Sequence, residues 1–394
     1  MKRVLLGDVA EIIKGISYRS ADYSDSENGT AFVNLKSVAR GGGYNPDGIK
    51  YYVGQIKPSQ YVKSGDILIA NTDLTQNREI IGSPIIMPDM GRSACFSLDL
   101  SKIIVTDTDM VYPRYLFYYL KSPIVREYML AHSNGSTVMH LSVKAVPNME
   151  INLPPLDQQK KIANILGSLD EKIELNRRMN ETLEQLGQAL FRHYFVDNPE
   201  SKNWRRGVVS DLGEVVTGKT PSKKNQKFFG NEVAFLKVPD MHKASIVIKT
   251  SDNLSPIGAG SQKSKYIPKW STCISCIATV GVVSLAGKNM QTNQQINSIV
   301  PREACFKFFN YFLMQHKSDY IKTLASSGSA TPNLNRGHFS SITVVMPDRE
   351  LLKEFDTRVS HLFLQMENNL QENETLINIR DALLPKLISG EIEV

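Results

Sequence analysis

Asn176-Arg-Arg-Met-Asn-Glu-Thr-Leu183 recurs in large part as Asn369-Leu-Gln-Glu-Asn-Glu-Thr-Leu376, and this internal copy is the strongest indication of the architecture. Their offset is 193 residues (369 minus 176), and the alignment keeps this register from Asn134, opposite Ser327, to Phe195. An internal repeat of this length sets the architecture, so it is interpreted before any local pattern. The chain is therefore predicted to be a tandem duplication.

The repeat also covers the beginning of each copy. Leu6–Gly15 aligns without gaps with Val209–Gly218, at an offset of 203 residues (209 minus 6). Both copies continue with short apolar runs, such as Asp66–Ala70 and Thr272–Ile277, separated by Gly, Pro, Asn and Ser. Such runs are typical of strands and turns. We therefore expect a strand-rich domain at the start of each copy.

Each copy ends in a segment nearly free of Gly and Pro, after Pro154-Pro155 and after Pro347. Apolar residues recur there in steps of four and three, which is the heptad pattern of a coiled-coil helix. At 1.5 Å per residue each helix would be roughly 60 Å long. A helix with such a narrow apolar seam needs a partner, and the other copy supplies one. The predicted seam residues are Ile162, Leu166, Leu169, Ile173, Leu183 and Leu190 in the first helix and Phe355, Val359, Leu362, Met366, Leu376 and Leu383 in the second.

Four asparagines fall on this seam, Asn176 and Asn180 in the first helix and Asn369 and Asn373 in the second. Buried asparagines can fix the register of a coiled coil at a cost in stability. Alternatively, the seam opens at these positions and the side chains are solvated. The sequence leaves both interpretations open.

The composition narrows the class of protein. The chain has 394 residues and a net charge of +6, with 46 Lys and Arg against 40 Asp and Glu. Between Trp204 and Trp270 the balance is 12 basic against 5 acidic residues, so the basic character is concentrated there. No apolar run is long enough for a membrane span or a signal peptide, and we expect a cytoplasmic protein.

Four cysteines do not make a disulfide framework in a chain of this length. Cys273 and Cys276 have CxxC spacing, but a zinc ribbon needs a second such pair, so we expect core cysteines and no metal site. Catalytic patterns are also missing: no P-loop, dinucleotide-binding glycine motif, zinc-protease motif or nucleophile elbow is found. We therefore expect a protein that binds and does not catalyse.

Polar loops in both copies carry the chemistry that reads DNA. Asn and Gln pair with adenine, Arg pairs with guanine, and Lys neutralises phosphates. The alternative is that these loops are simply solvated. The candidate DNA-binding residues are Arg19, Asn34, Lys36, Asn71, Thr72, Thr75, Gln76, Asn77 and Arg78 in the first copy and Lys219, Lys223, Lys224, Lys237, Thr279, Asn293 and Gln294 in the second.

Taken together, these patterns resemble the specificity (S) subunits of Type I restriction-modification systems. The resemblance rests on the duplicated opening, on Thr72-Asp-Leu-Thr75 leading to Ile81-Gly82, and on Ser275–Gly281 followed by Thr292–Asn297. Pro154-Pro-Leu-Asp-Gln-Gln159 opens the first helix in the family's manner, whereas the second helix starts without the matching Pro-Leu-x-x-Gln. The pattern covers essentially the whole chain.

The resemblance implies an α+β protein in which two mixed, strand-rich target recognition domains are separated by two long antiparallel helices that form a coiled coil with a pseudo-two-fold repeat. We expect recognition domain 1 at residues 1–153, the central helix at 154–197, a linker at 198–206, recognition domain 2 at 207–346 and the C-terminal helix at 347–394.

The resemblance also implies the partners. Each recognition domain would read one half of a bipartite double-stranded DNA site, and the helices would set the spacer and dock two methyltransferase (M) subunits. Restriction (R) subunits would join the full complex, and S-adenosylmethionine would bind in the M subunits and not in this chain. Two other hypotheses stay open: a scaffold that joins protein partners without DNA, and a stand-alone repressor. Salt-sensitive, sequence-dependent DNA binding would exclude the scaffold. Activity without an M subunit would indicate the repressor.

Overall fold

The computed structural model describes residues 2–242, 244–326 and 332–394. The part of the repeat that contains Ser327, Gly328 and Ser329 lies outside these residues. The chain divides into two compact units, unit 1 (Met1–Glu171 with Leu376–Val394) and unit 2 (Lys172–Thr375). Of the helices in the described ranges, none combines the length and the apolar character needed to cross a membrane.

Unit 1 is built from small sheets. Within its described residues the first sheet is antiparallel throughout. A second sheet has one parallel pair, Thr30–Val33 with Ala94–Phe96. In spatial order the strands are Ala10–Lys14, Leu100–Val105, Ile67–Ala70 and Pro84–Ile86 in the first sheet; Tyr23–Ser24, Lys50–Tyr52, Thr30–Val33, Ala94–Phe96 and Tyr61–Val62 in the second; Ser133–Asn134, Met139–Leu141 and Thr72–Asp73 in a third; and Lys2–Leu5 with Glu150–Leu153.

Helices pack against the unit 1 core. The α-helices are Leu6–Val9, Pro113–Lys121 and Pro123–Ala131, and the 3-10 helices are Ser20–Asp22, Leu35–Ser37, Pro46–Gly48, Pro58–Gln60 and Val143–Asn148. Tyr115 and Leu116 are fully buried against Ile69 of the first sheet. Pro begins both longer helices, where its missing N–H costs nothing.

Unit 2 repeats this plan. In spatial order its described strands are Gly213–Thr217, Ile296–Pro301, Thr272–Ser275, Val283–Ala286 and Ile246–Val247 in one sheet; Asp252–Leu254, Phe229–Leu236, Met290–Thr292 and Tyr266–Ile267 in another; and Arg205–Val208 with Thr343–Met346. Its shorter α-helices are Val209–Leu212, Val238–Met241, Pro256–Gly260, Lys307–His316, Ser318–Ser326 and Arg336–Ser340, and its 3-10 helices are Pro199–Asn203, Gln226–Phe228, Lys263–Lys265 and Ala304–Phe306. The matching order of paired strands confirms the duplication.

Two long helices complete the fold, the central helix (Leu156–Phe191) and the C-terminal helix (Arg349–Ser389). At 1.5 Å per residue they are about 54 and 62 Å long, from 36 and 41 residues. A π-helical turn, Arg192–Val196, follows the central helix. The predicted α+β class with two long helices is confirmed.

The four seam asparagines are paired across the helices; Asn176, Asn180 and Asn369 are buried and Asn373 is half-buried. In unit 2 the side-chain amide of Asn176 donates to Asn373 Oδ1 at 2.9 Å, and the side-chain amide of Asn369 donates to Asn180 Oδ1 at 2.8 Å. Asn176 is 0% exposed and Asn369 is 3% exposed. Partner numbers rise on one helix as they fall on the other, so the helices are antiparallel here. Of the two interpretations left open by the sequence, the structure has the paired one for all four asparagines, three of which are buried.

The apolar seam residues occupy both units. Those in unit 1 are Ile162, Leu166, Leu169, Leu376 and Leu383, and those in unit 2 are Ile173, Leu183, Leu190, Phe355, Val359, Leu362 and Met366. Ile162, Leu166, Phe355, Val359 and Met366 are buried, and the others are partly buried. The heptad pattern did not single out Phe363, which is fully buried, because it faces the helix Lys307–His316 as well as the seam.

Candidate nucleic-acid interface

Main-chain hydrogen bonds bring three segments of unit 1 together at one end of the first sheet. The Asn71 amide donates to Asp99 O at 2.7 Å, and the Leu141 amide donates to Asn71 O at 2.8 Å. The Ile16 amide donates to Phe96 O at 2.9 Å, which adds the segment after the first strand. Segments distant in sequence therefore form one loop cluster.

Unit 2 has the same hydrogen bonds at equivalent residues. The Cys276 amide donates to Gln295 O at 2.7 Å, the Leu334 amide donates to Cys276 O at 2.8 Å, and the Lys219 amide donates to Thr292 O at 2.9 Å. Cys276 is thus the counterpart of Asn71. Each unit presents a loop cluster at the same place in its fold.

A glycine permits the close approach in each cluster. A Cβ atom on Gly15 would lie 2.1 Å from the carbonyl oxygen of Ser97, and one on Gly218 would lie 2.2 Å from that of Asn293. Real Cβ atoms do not come so close, so any other residue would push the segments apart. The two glycines are equivalent in the repeat, being separated by 203 residues.

The first predicted base-reading stretch begins with buried residues. Asn71 and Thr72 are each 6% exposed. The Asn71 amide group donates to Leu98 O at 3.1 Å, and the Thr72 hydroxyl donates to Asp99 Oδ1 at 3.1 Å. In the structure these two side chains tie the loop to the cluster.

Asp73 holds the two ends of the loop that comprises residues 71–81 (loop 71–81). It is 0% exposed, and its carboxylate accepts from the Thr75 amide at 2.6 Å and from the Ile80 and Ile81 amides at 2.6 and 2.8 Å. Burial alone raises the pKa of Asp73, but these hydrogen bonds and the one from the Thr75 hydroxyl outweigh it and lower the pKa below its ordinary value. In the sequence Asp73 stands out only as part of the motif Thr72-Asp-Leu-Thr75, and it was not a candidate DNA-binding residue because a carboxylate is repelled by phosphates.

The tip of loop 71–81 is polar and open. Gln76, Asn77 and Arg78 are exposed, and Thr75 is half-buried. Arg78 has a φ of 56°, which a residue other than Gly rarely adopts, so the turn is held by its surroundings. Three predicted residues therefore share one exposed turn.

The other predicted residues of unit 1 are divided between surface and interior. Arg19 and Lys36 are exposed. Asn34 is 5% exposed, donates to Gly48 O at 2.6 Å and accepts from the Lys36 amide at 2.9 Å, so it caps a 3-10 helix. Its amide is committed to the main chain of its own unit.

The equivalent loop of unit 2 is shorter. The Gly82 amide donates to Ala70 O at 2.8 Å and the Gly281 amide donates to Ser275 O at 2.9 Å, which defines matching loop ends. Eleven residues lie between the first pair and five between the second. Thr279 is exposed in this short loop (loop 276–280).

Unit 2 presents its charge on the basic loop, residues 219–227. Lys219, Lys223 and Lys224 are exposed. The loop is attached through the Gln262 amide group, which donates to Lys219 O at 2.8 Å, and through the Thr220 hydroxyl, which donates to Gln294 Oε1. An anchored loop of lysines is suited to phosphate oxygens.

Two further predicted residues of unit 2 are used internally. Asn293 is 6% exposed and is hydrogen-bonded to Gln295, whereas Gln294 is exposed. Lys237 is half-buried and forms an ion pair with Asp252. Lys263 is exposed next to Gln262, and the local basic excess was the only sequence signal that could have found it.

The cysteines lie in the core. All four are free and buried, and burial raises the pKa of Cys273 to about 12 and that of Cys276 to about 11. Such thiols are poor nucleophiles and poor metal ligands. Within residues 2–242, 244–326 and 332–394, no group of three or more His, Cys, Asp and Glu is arranged to hold a metal ion.

The fold and its loop clusters define a class, a duplicated binding protein whose two halves present polar loops from equivalent positions. The family model of the Type I restriction modification DNA specificity domain matches residues 1–185 and 201–375. The chain therefore belongs to the Type I restriction-modification DNA specificity family.

Similar proteins agree with this family. The HindI specificity subunit of Haemophilus influenzae is 33% identical, and the alignment covers 99% of both chains. The MjaIX specificity subunit of Methanocaldococcus jannaschii is 27% identical over 73% of this chain and 70% of its own. The fold is similar to the crystal structure of a Type I restriction-modification S subunit from M. genitalium, with a TM-score of 0.60 and 15% identity over 98% of this chain and 95% of that one.

Proposed function

We propose that this chain is the DNA-recognition subunit of a Type I restriction-modification complex, with each unit reading one half of a bipartite double-stranded site. The observation that carries the proposal is the presence of two loop clusters at equivalent positions in a duplicated fold. Membership of the DNA specificity family supports it.

The two clusters offer different chemistry to DNA. In unit 1 the exposed turn Gln76-Asn77-Arg78 carries two amides and a guanidinium, which can pair with adenine and guanine in the major groove. In unit 2 the basic loop supplies the ammonium groups that neutralise phosphates, with Gln294 and Thr279 exposed for base contacts. Bases are thus read in both halves, and the phosphate grip is stronger in the second.

Catalysis belongs to the partners in this proposal. Two M subunits would bind S-adenosylmethionine and methylate adenine, and R subunits would restrict. The long helices would set the unread spacer and would dock the M subunits on their outer faces, where Leu175, Met179 and Leu186 are exposed. Exposed apolar side chains that recur along one helix are typical of an interaction surface.

The proposal is tested by co-expressing the chain with its methyltransferase gene and mapping adenine methylation by long-read sequencing. We expect a split motif, two short half-sites around a fixed gap, that disappears when this chain is omitted. Methylation without such a motif, or no DNA binding by the assembled complex, would contradict the proposal and favour a protein scaffold.

The basic loop provides a second readout. Replacing Lys223 and Lys224 by Ala should weaken binding to all sequences alike, and should reduce the slope of log affinity against log salt by about 2. The exposed Glu232→Gln variant, also in unit 2, is the control for a change of charge. A changed base preference with an unchanged salt slope would contradict the phosphate assignment.

A further inference from the structure

We infer that Asp73 and Arg126 form a clamp that presets loop 71–81 for base reading, so that Arg126 is a positioning residue for the specificity of unit 1 alone. The inference rests on the proposed function, because it takes the tip of this loop to contact DNA. It adds a residue that lies far from the tip in sequence and that no motif indicates.

Arg126 holds the loop from the helix Pro123–Ala131. Its guanidinium donates to the carbonyl oxygens of Ile81, at 2.8 Å, and of Arg78. One planar group thus joins the tip of the loop to its end. Arg is suited to this task because its donors are fixed in one plane.

Asp73 completes the clamp from the other end. It lies at the start of the loop and accepts from the amides of Ile80 and Ile81 at its end. The Thr75 hydroxyl accepts from the Glu79 amide at 2.8 Å, so a third contact closes the same turn. The main chain between Asp73 and Ile81 is therefore held at both ends and across its middle.

The helix also presses on the end of the loop. Gly82 has a φ of 67°, and a Cβ there would lie 2.5 Å from Met129 Cβ on the same helix as Arg126. The helix and the loop therefore meet with no space between them. Together with the φ of Arg78, this contact should restrict the tip to one conformation while its side chains remain exposed.

The energetic consequence concerns DNA binding. Ordering an exposed loop upon binding costs conformational entropy, and a loop that is already ordered avoids that cost. Bidentate base contacts also require the amide or guanidinium to be placed accurately. The clamp should therefore raise discrimination at the bases that Gln76, Asn77 and Arg78 contact.

Unit 2 supplies the internal control. The repeat equivalent of Arg126 is Asp319 (126 plus 193), which is exposed and forms an ion pair with Lys322. Loop 276–280 is closed by the Ser318 hydroxyl, which donates to Gly281 O at 2.7 Å. A change at Arg126 should consequently leave the half-site read by unit 2 intact.

The test uses the full chain in its methyltransferase complex with Arg126→Gln and, as the matched control on the same helix, the exposed Glu127→Gln. We expect Arg126→Gln to lower discrimination at one half-site by about tenfold, the loss of one good base contact. The other half-site, the gap and the melting temperature should stay unchanged, and Glu127→Gln should leave the motif intact. Partial recovery of discrimination is expected for Arg126→Lys, which can still reach one carbonyl.

Three outcomes would overturn the inference. An intact motif in Arg126→Gln would show that the clamp does not set specificity, while the proposed function would stand. Equal weakening of both half-sites with a lower melting temperature would show a merely structural role. Absence of a split motif in the unaltered complex would remove the proposed function and the inference with it.

Amide hydrogen exchange tests the clamp without any variant. In the DNA-free protein the amides of Thr75, Ile80 and Ile81 should exchange at least tenfold more slowly than that of Asn77, although all lie in one surface loop. Exchange as fast as that of Asn77 would overturn the preset loop.

Discussion

The two long helices contact each other through different chemistry in the two units, at positions that are equivalent in the repeat. In unit 1, Asp170 of the central helix forms an ion pair with Arg380 of the C-terminal helix at 2.7 Å. The repeat equivalents of these residues, 193 positions away, are Phe363 and Gly187. A charged pair in unit 1 thus corresponds to an aromatic ring against a glycine in unit 2.

The surroundings differ in the same way. In unit 1 the Tyr118 hydroxyl also donates to Asp170, at 2.8 Å. In unit 2 the Phe363 ring stacks on Phe308 with a centroid distance of 4.5 Å. A Cβ on Gly187 would lie at an ordinary contact distance of 3.6 Å from Phe363 but only 2.6 Å from Phe312 Cζ, so the absence of a side chain there makes room for the Phe312 ring.

The two helices are therefore complementary and not merely similar. If two central helices paired in the same register, Asp170 would face Gly187 and lose its cation. If two C-terminal helices paired, Phe363 would face Arg380 and lose its space. Each wrong pairing leaves a desolvated charge or a steric clash, which is how sequences select one partner over another.

The largest expected effect comes from filling the space at Gly187. Gly187→Ala would place a Cβ 2.6 Å from Phe312 Cζ in a packed core, and we expect a loss of about 2 kcal/mol in the free energy of unfolding. Gly167→Ala is the matched control in unit 1, because the three atoms nearest to its Cβ all belong to the guanidinium of Arg114, the far end of a flexible side chain that can move. Urea unfolding measures both. Helix propensity alone favours Ala by about 1 kcal/mol, so equal stabilisation by both variants would contradict the comparison.

The next effect comes from breaking the ion pair. Arg380 and Asp170 are 18% and 27% exposed, between a surface pair and a buried one, and we expect Arg380→Ala to cost about 1.5 kcal/mol. A double-mutant cycle with Asp170→Ala isolates the pair. If the losses of unfolding free energy were additive in the double variant, the ion pair would contribute no coupling energy. The charged contact of unit 1 would then not be an energetic counterpart of the Phe363 contact in unit 2.

A smaller effect is expected where the two copies are alike. Asn176 and Asn369 are repeat equivalents, and each donates to an asparagine of the other helix. Asn176→Ala and Asn369→Ala should each cost about 1 kcal/mol, the usual net value of a hydrogen bond. Thermal unfolding of the two variants measures the symmetry. If the two losses of stability differed by more than a factor of two, the helix pair would be asymmetric at the seam asparagines as well.

The smallest effect is a pH dependence of opposite sign in the two units. The pKa of Asp73 is lowered, so its ionised form stabilises unit 1 above the ordinary pKa of Asp, and this contribution is lost as the pH falls through the lower, folded pKa. Burial raises the pKa of Asp356 in unit 2, and Lys307 only partly opposes it. The protonated form of Asp356 is therefore favoured, and its ionised form costs stability above the raised pKa.

Asn substitutions distinguish the two pH dependences of stability. At pH 7, Asp73→Asn should destabilise the protein and Asp356→Asn should stabilise it, and both differences should shrink towards pH 3. Urea unfolding at the two pH values measures them. The same sign for both variants at pH 7 would refute the assignment of the two environments.

The sequence predicted what depends on regular spacing. The copied segments located the duplication, and the heptad steps found the buried Ile162, Leu166 and Phe355. The pattern did not decide whether Asn176 would be paired or solvated, because both outcomes suit an asparagine on a seam. Membership of the family, inferred from motifs in both copies, is confirmed by the family model.

The candidate site was predicted less well, because one residue type serves two purposes. An asparagine in a loop can face a base or cap the main chain, and Asn34 and Asn71 do the latter. Arg126 was not identified because its partners Arg78 and Ile81 are 48 and 45 residues away and are main-chain carbonyls, which leave no mark in the sequence. Assignment of the DNA contacts stays a prediction.

The main-chain hydrogen bonds that assemble each loop cluster have an evolutionary consequence. Asn71 in one unit and Cys276 in the other occupy the same node, and the hydrogen bonds that the two nodes share use only N–H and C=O groups. The node accepts side chains as different as Asn, which adds a hydrogen bond to Leu98 O, and Cys, so mutations can accumulate in the loops while the shared main-chain bonds are kept. The fold is therefore suited to the rapid divergence of its binding surface between lineages.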